Sequence, residues 1–244
     1  MRAPGPRKPQ AASRSRLSEF TVTEPISDNE FQVSPQDEVG VGPWNGDWPT
    51  DPRFDRRLLA EGDRRNVVDR YRYWTHEAIV ADLDARRHPF HVAIENWQHD
   101  FNIGSVVRTA NAFMAHEVHI VGNRRWNRRG AMVTDRYQHI RHHSTVEEFI
   151  AWASEAGLGV LAIDNLPGSV PLETYPVERE CVLVFGQESV GLSDAMREAA
   201  DATLAIAQYG STRSINAGAA AAIAMHRWIT LHADIAAGHG DGVN

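Results

Sequence analysis

From Phe90 onward, short apolar runs alternate with longer amphipathic stretches. The runs FHVAIE (90–95), EVHIV (117–121), GVLAID (159–164), CVLVF (181–185) and ATLAI (202–206) have strand length and buried-strand composition. Between them, helical spacing covers about Gly104 to Met114, and a capping-box pattern of Ser144 with Glu147 opens a helix that stops at Gly157. LSDAMREAA (192–200) reads as a short helix. Strands and helices in regular alternation predict an α/β fold with a parallel sheet covered by helices on both faces.

The last helix follows a polar loop, Gly210 to Arg213, and opens after Ser214-Ile215-Asn216. Asn216 is placed to cap it. Ala217, Gly218 and Ala219 to Ala222 carry almost no side-chain bulk, and an apolar stripe follows through Ile223, Met225, Trp228 and Leu231. Such a helix either packs closely on another backbone or abuts a ligand at its amino terminus, or both.

Upstream, the pattern changes. Residues 1–50 are rich in Pro, Ser and Gly with no apolar period, and are expected to be a disordered extension. Residues 51–89 are charged, with a helix capped by Thr75 that carries Ala78, Ile79, Leu83 and Ala85 and ends before Pro89. They predict a helical accessory segment, with Tyr71, Tyr73 and Trp74 packing inside it, on a main domain spanning 90–235.

Composition adds limits. The chain has 244 residues, enough for a sizeable core, and no apolar run of membrane-spanning length or secretory type. The single cysteine, Cys181, excludes an intrachain disulfide and fits a cytoplasmic location. A net charge of −7 argues against a general nucleic-acid coat, which makes the local run Arg124, Arg125, Trp126, Arg128, Arg129 conspicuous. With Arg136 and Arg141 following, it reads as an RNA-contacting loop: arginines for phosphates and Trp126 for an unpaired base. His139, His142 and His143 lack a partnering cysteine and precede a helix cap. They read as a surface cluster, and no metal is expected.

Three stretches at strand ends carry the candidate chemistry. Asn102-Ile-Gly-Ser-Val-Val-Arg108-Thr-Ala opens a helix whose cap is Asn102 and whose apolar face is Val107, Ala110 and Met114, leaving Arg108 off that stripe. Arg108 near a helix amino terminus suits a phosphate or a developing oxyanion. Phe185-Gly186-Gln-Glu188-Ser-Val-Gly191-Leu is a tight turn after a buried strand, with Gly186 open to close approach and Glu188 as base, acceptor or cap. The third is Ser214-Ile215-Asn216. No phosphate-binding loop, nucleophile elbow or dinucleotide fingerprint is present.

In this order and spacing, the three stretches resemble the signature motifs of the SpoU/TrmH family of RNA ribose methyltransferases, within the SPOUT superfamily. The resemblance runs from about Phe90 to His232. It implies a SPOUT fold with a C-terminal trefoil knot, a homodimer, and S-adenosylmethionine held in the knot. Gly186, Ile206 and Ile215 would contact the cofactor, with Asp164 and Asn165 lining the same pocket. Arg108 would be the catalytic arginine, supported by Asn102, Glu188, Ser214 and Asn216. The substrate would be a ribose 2′-hydroxyl of tRNA or rRNA. Ile206-Ala207-Gln208 departs from the Ile-Pro-Met common in the family, which bears on the shape of the cofactor loop. A catalytically silent RNA-binding protein on the same scaffold is the alternative, and the intact polar set weighs against it.

Overall fold

The structure is a computed structural model that describes residues 40–97, 102–187 and 191–238. Seven strands form one sheet in the order β3-β2-β1-β6-β4-β7-β5. They are β1 (His91–Asn96), β2 (Val118–Gly122), β3 (Ile140–His143), β4 (Gly159–Ile163), β5 (Val170–Pro171), β6 (Cys181–Phe185) and β7 (Ala202–Ala205). Every pairing is parallel. All residues of β1, β2 and β6 are buried, as the near-continuous apolar runs require of strands covered on both faces.

The period-two alternation of each strand divides the core in two. On one face Val92, Ile94, Val118, Ile120, Leu183 and Phe185 pack against α3 (Ile103–Ala112) and α6 (Ala217–His232). On the other, Ala93, Val121, Val160, Ala162, Val182 and Val184 meet α4 (Val146–Glu155) and α5 (Asp194–Ala199). Cys181 lies in the first layer, where burial pushes its thiol up to about 12.

Several expectations change in detail. β3 and β5 carry no apolar run: β3 reads Ile-Arg-His-His, and β5 is a two-residue pairing on the edge beside β7. The histidines expected as a surface cluster are not one. His143 is buried at the end of β3, and His142 is half-buried with Nε2 2.7 Å from the Gly122 carbonyl. His139 is the exposed member, 2.8 Å from Asp84. Strand alternation, invisible in so polar a segment, separates them. The α4 cap is Thr145 rather than Ser144, its hydroxyl accepting from Glu148 N while Glu148 accepts from Ser144 N. Asn102 does not cap α3. Its backbone is already helical and its side chain makes no capping bond. Asn216 does cap α6, accepting from Ala219 N at 3.1 Å. The buried stripe of α6 is Ala221, Ala224, Met225 and Trp228, with Ile223 and Leu231 exposed.

Before the sheet lie α1 (Arg56–Glu61) and α2 (His76–Asp84), the latter capped by Thr75 as its sequence predicts. Residues 40–50, assigned from sequence to the extension, are held here. Val41 exchanges two backbone hydrogen bonds with Asp63, and Trp44 N donates to the Leu59 carbonyl. Tyr71 is buried edge-on to Trp74, and its hydroxyl donates to Asp82 at 2.6 Å. Residues 1–39 lie outside the described part of the chain.

Candidate functional site

Because all strands run in parallel, the loops after β1, β2, β4, β6 and β7 emerge on one edge of the sheet. The strand order also reverses there. β1, β2 and β3 step toward one side, while β6 and β4 lie on the other, so the crevice between β1 and β6 is a switch point where open α/β sheets bind ligands.

Backbone demands at this edge explain its glycines. A Cβ on Gly186 would lie 2.2 Å from the Gly191 carbonyl carbon and 2.3 Å from Leu192 N. The glycine is therefore required by closure of its own turn, which Gln187 and Gly191 seal with two backbone hydrogen bonds. A Cβ on Gly104 would lie 2.7 Å from Ala131 N. The opening turn of α3 is thus kept small for the chain that follows the arginine-rich loop, and the two segments pack backbone to backbone.

A cavity of about 310 Å³ opens beside the Gly186 turn, within the usual range for a small-ligand site. Gly186, Asp164, Asn165, Ile206, Ser214 and Ile215 all line it. So do Arg197, Arg213 and Gln187, which the sequence does not mark as cavity residues. The Asp164 carboxylate accepts from Asn165 N at 2.8 Å and Leu192 N at 3.3 Å, and Asn165 Nδ2 donates to the Arg213 carbonyl at 3.1 Å. The walls thus combine apolar side chains at strand ends with backbone polar groups and two guanidinium-bearing residues.

Asn102, Arg108 and Asn216 are not among the lining residues. Asn216 Nδ2 donates to Asn102 Oδ1 at 3.0 Å, which ties the start of α3 to the start of α6. Gly218 leaves room at this junction: a Cβ there would press on Asn216 Oδ1 at 3.1 Å. Arg108 is exposed on α3, one turn beyond Gly104 and opposite the buried Val106, Val107 and Ala110. Glu188 lies outside the described residues.

The arginine-rich loop leaves the carboxyl end of β2. Arg124, Arg125, Arg128 and Arg129 are exposed. Trp126 is half-buried against the core, with the Arg128 guanidinium 5.6 Å from its ring centre. Arg141 is not part of this loop: it sits on β3 and pairs with Glu117 at 3.1 Å. The loop is anchored by the buried Asn96, whose Nδ2 donates to the Asn123 and Arg125 carbonyls at 2.6 and 2.9 Å.

Sequence reasoning overlooked Glu95. This fully buried carboxylate accepts from Ser193 N and Ser193 Oγ, each at 2.7 Å, and from Trp97 Nε1 at 3.0 Å. It fastens the loop after β1 to the cap of α5, across the crevice that Trp97 N and Gln187 Oε1 also bridge at 3.0 Å. The signal was available: a lone carboxylate inside an apolar strand must find donors wherever it is buried.

Residues 89–226 match the model of the SpoU rRNA Methylase family. The chain is 27% identical over 156 residues to the tRNA (guanosine(18)-2′-O)-methyltransferase of Escherichia coli (strain K12), covering 62% of this chain and 68% of that one. An AdoMet-bound rRNA methyltransferase from Sinorhizobium meliloti superposes with a TM-score of 0.53 at 28% identity, over 61% of this chain and 60% of that chain. The TrmH/SpoU tRNA modifying enzyme of A. aeolicus is similar in fold, with a TM-score of 0.56 at 20% identity over 63% of this chain and 80% of its own. The matched segment spans the whole sheet and the first turns of α6, and includes every motif at the sheet's carboxyl edge; the chain belongs to the SpoU rRNA Methylase family.

Proposed function

We propose that this protein is an S-adenosylmethionine-dependent RNA methyltransferase acting on a ribose 2′-hydroxyl of tRNA or rRNA. The observation that carries this reading is the meeting of three family motifs at one edge of the sheet. The Gly186 turn and the Ser214-Ile215 loop line one cavity, and Asn102 joins the motif-one helix to the Asn216 cap beside it.

The cavity suits the cofactor's chemistry. Ile163, Leu166, Ile206 and Ile215 offer apolar surface for an adenine ring, while Asp164, Asn165 and the strand-end backbone offer hydrogen bonds to sugar and amino-acid groups. S-adenosylmethionine, when bound, supplies a methyl group already activated by its sulfonium. What remains for this chain is to position the ribose and manage the charge that grows on its oxygen. Arg108 does the second by stabilising the developing alkoxide, since a neutral guanidinium able to act as a base is too costly at neutral pH. Asn102 and Asn216 hold the two helix starts in register, Ser214 faces the cavity, and Glu188 completes the polar set.

The C-terminal trefoil knot belongs to the same proposal. The Asn165–Arg213 hydrogen bond, which joins the loop after β4 to the loop before α6, supports it. A homodimer through α3 and α6 is supported by the exposed Ile223 and Leu231 on α6. The exposed Arg124, Arg125, Arg128 and Arg129 bind RNA phosphates, and Trp126 offers what remains open of its ring to a base. Residues 51–89 act as an accessory segment on the methyltransferase domain of 90–235.

Calorimetry with S-adenosylmethionine, coupled to methyl transfer onto bulk RNA, tests the reading. Cofactor binding and transfer that creates alkali-resistant, 2′-O-methylated linkages are expected. A chain that binds RNA and no cofactor is the silent scaffold instead. Mapping ribose methylation with and without the gene then identifies the nucleotide.

A further inference from the structure

At the opposite edge of the sheet, about 15 Å from the cavity by strand rise, the structure gathers a second set of polar groups. The register Val92↔Val118 sets His91 beside Glu117, and strand alternation puts His119 on the same face. We propose that His91, Glu117 and His119 form a binding site for one divalent transition metal ion of the zinc class.

The geometry points there first. One ligand atom from each residue lies within 4.8 Å of the others. His91 Nδ1 and His119 Nε2 are 3.0 Å apart, and His119 Nε2 is 3.7 Å from Glu117 Oε2. A tetrahedral ion with bonds of about 2.0–2.1 Å needs ligand atoms about 3.4 Å apart. Two of the three edges bracket that length and the third lies within 4.8 Å, so the site closes on an ion by rotating the rings and the carboxylate.

The surroundings supply what a ligating imidazole requires. His119 Nδ1 is 3.0 Å from His143 Nε2. Donation of the Nδ1 proton to His143 leaves the Nε2 lone pair of His119 aimed at the site, the usual arrangement behind a metal-bound histidine. Trp152 of α4 covers the ring at 4.0 Å between centres and fixes its plane. Arg141 contacts the Glu117 oxygen at 3.1 Å, and the carboxylate still has lone pairs left for a metal. Glu117 retains about 15% of its side-chain exposure, so solvent reaches the carboxylate. Two imidazoles and one carboxylate suit zinc or cobalt, while calcium and magnesium prefer all-oxygen shells. Without an ion, the same row closes on itself as His91–His119–His143 hydrogen bonds.

The test uses the full-length, untagged chain stripped with a chelator, then titrated with zinc chloride by calorimetry and with cobalt chloride by visible spectroscopy. One zinc per chain is expected, together with the strong visible bands of four-coordinate cobalt, abolished by one equivalent of zinc. Glu117→Gln and His91→Gln should each weaken zinc at least tenfold, and His143→Gln by about 10–100-fold as a supporting partner. Near-ultraviolet circular dichroism of each stripped variant checks its fold. If a variant fails to fold, the wild-type cobalt spectrum decides alone: weak, octahedral bands overturn the site. So does an absence of saturable zinc binding, or zinc affinity unchanged in folded Glu117→Gln and His91→Gln.

Discussion

Two charged residues lie in opposite settings. Arg108 is exposed and serves only if charge develops beside it. Arg108→Lys should therefore keep a measurable fraction of methyl transfer while Arg108→Ala abolishes it, with cofactor affinity by calorimetry the same in both. Loss of cofactor binding in the alanine variant would reassign Arg108 from chemistry to cofactor positioning. Glu95 is buried and already fully engaged with Ser193 and Trp97. Glu95→Gln replaces one acceptor oxygen by an amino group facing donors. A stability loss of about 1–3 kcal/mol in urea denaturation is expected, and cofactor affinity should fall with it because the crevice between β1 and β6 loosens. Glu95 was legible as an anomaly of its strand. Its partners were not, because Ser193 and Trp97 meet it only after two loops fold onto one edge.

Among the elements, the arginine-rich loop and the segment before the sheet make separable predictions. Replacing Arg124, Arg125, Arg128 and Arg129 by Gln should weaken RNA binding. The slope of log affinity against log salt should fall by roughly 0.7–0.9 for each phosphate the loop no longer neutralises. An unchanged slope would leave the loop with no part in RNA binding. In the segment before the sheet, Asp63 is buried, and its carboxyl is held below the usual carboxylate range: desolvation alone would raise it, but hydrogen bonds from the Arg65 side chain and backbone and from Tyr73 N overcome that. A carboxyl whose folded value lies below its unfolded value contributes stability above the unfolded value, about 3.9, and loses it as pH falls through the folded one. Asp63→Asn should lower the denaturation midpoint at pH 7, and its gap from the wild type should close below about pH 4. The main helices and buried strands were readable because their apolar periods are strong. β3 was hidden because its residues are Ile-Arg-His-His, and α6 misled because its buried stripe is largely alanine.

On the scale of the whole molecule, α6 presents Ile223 and Leu231 to solvent while its opposite side fills the core. If α6 forms the subunit interface, Ile223→Glu with Leu231→Glu should convert a dimer to a monomer in sedimentation velocity without unfolding the chain. A wild-type chain that sediments as a monomer would reject the interface. Among the described residues no helix is long and apolar enough to cross a membrane.

The sequence by itself determined the α/β class, the order of its main strands, the helix starts at Thr75 and Asn216, and the three motifs of the family. Each of these rests on local chemistry: buried strands demand apolar runs, helix starts demand caps, and tight turns demand glycine. Tertiary structure alone decided why Gly104 must be glycine, since its obstacle is backbone of Gly130 and Ala131 from another part of the chain. It alone turned Asn102 from an expected cap into a partner of Asn216, across a separation no periodicity encodes. It also brought His91, Glu117, His119 and His143 from three strands into one row. Parallel pairing sets residues side by side that are far apart in the chain, and the register that aligns them exists only once the sheet has formed.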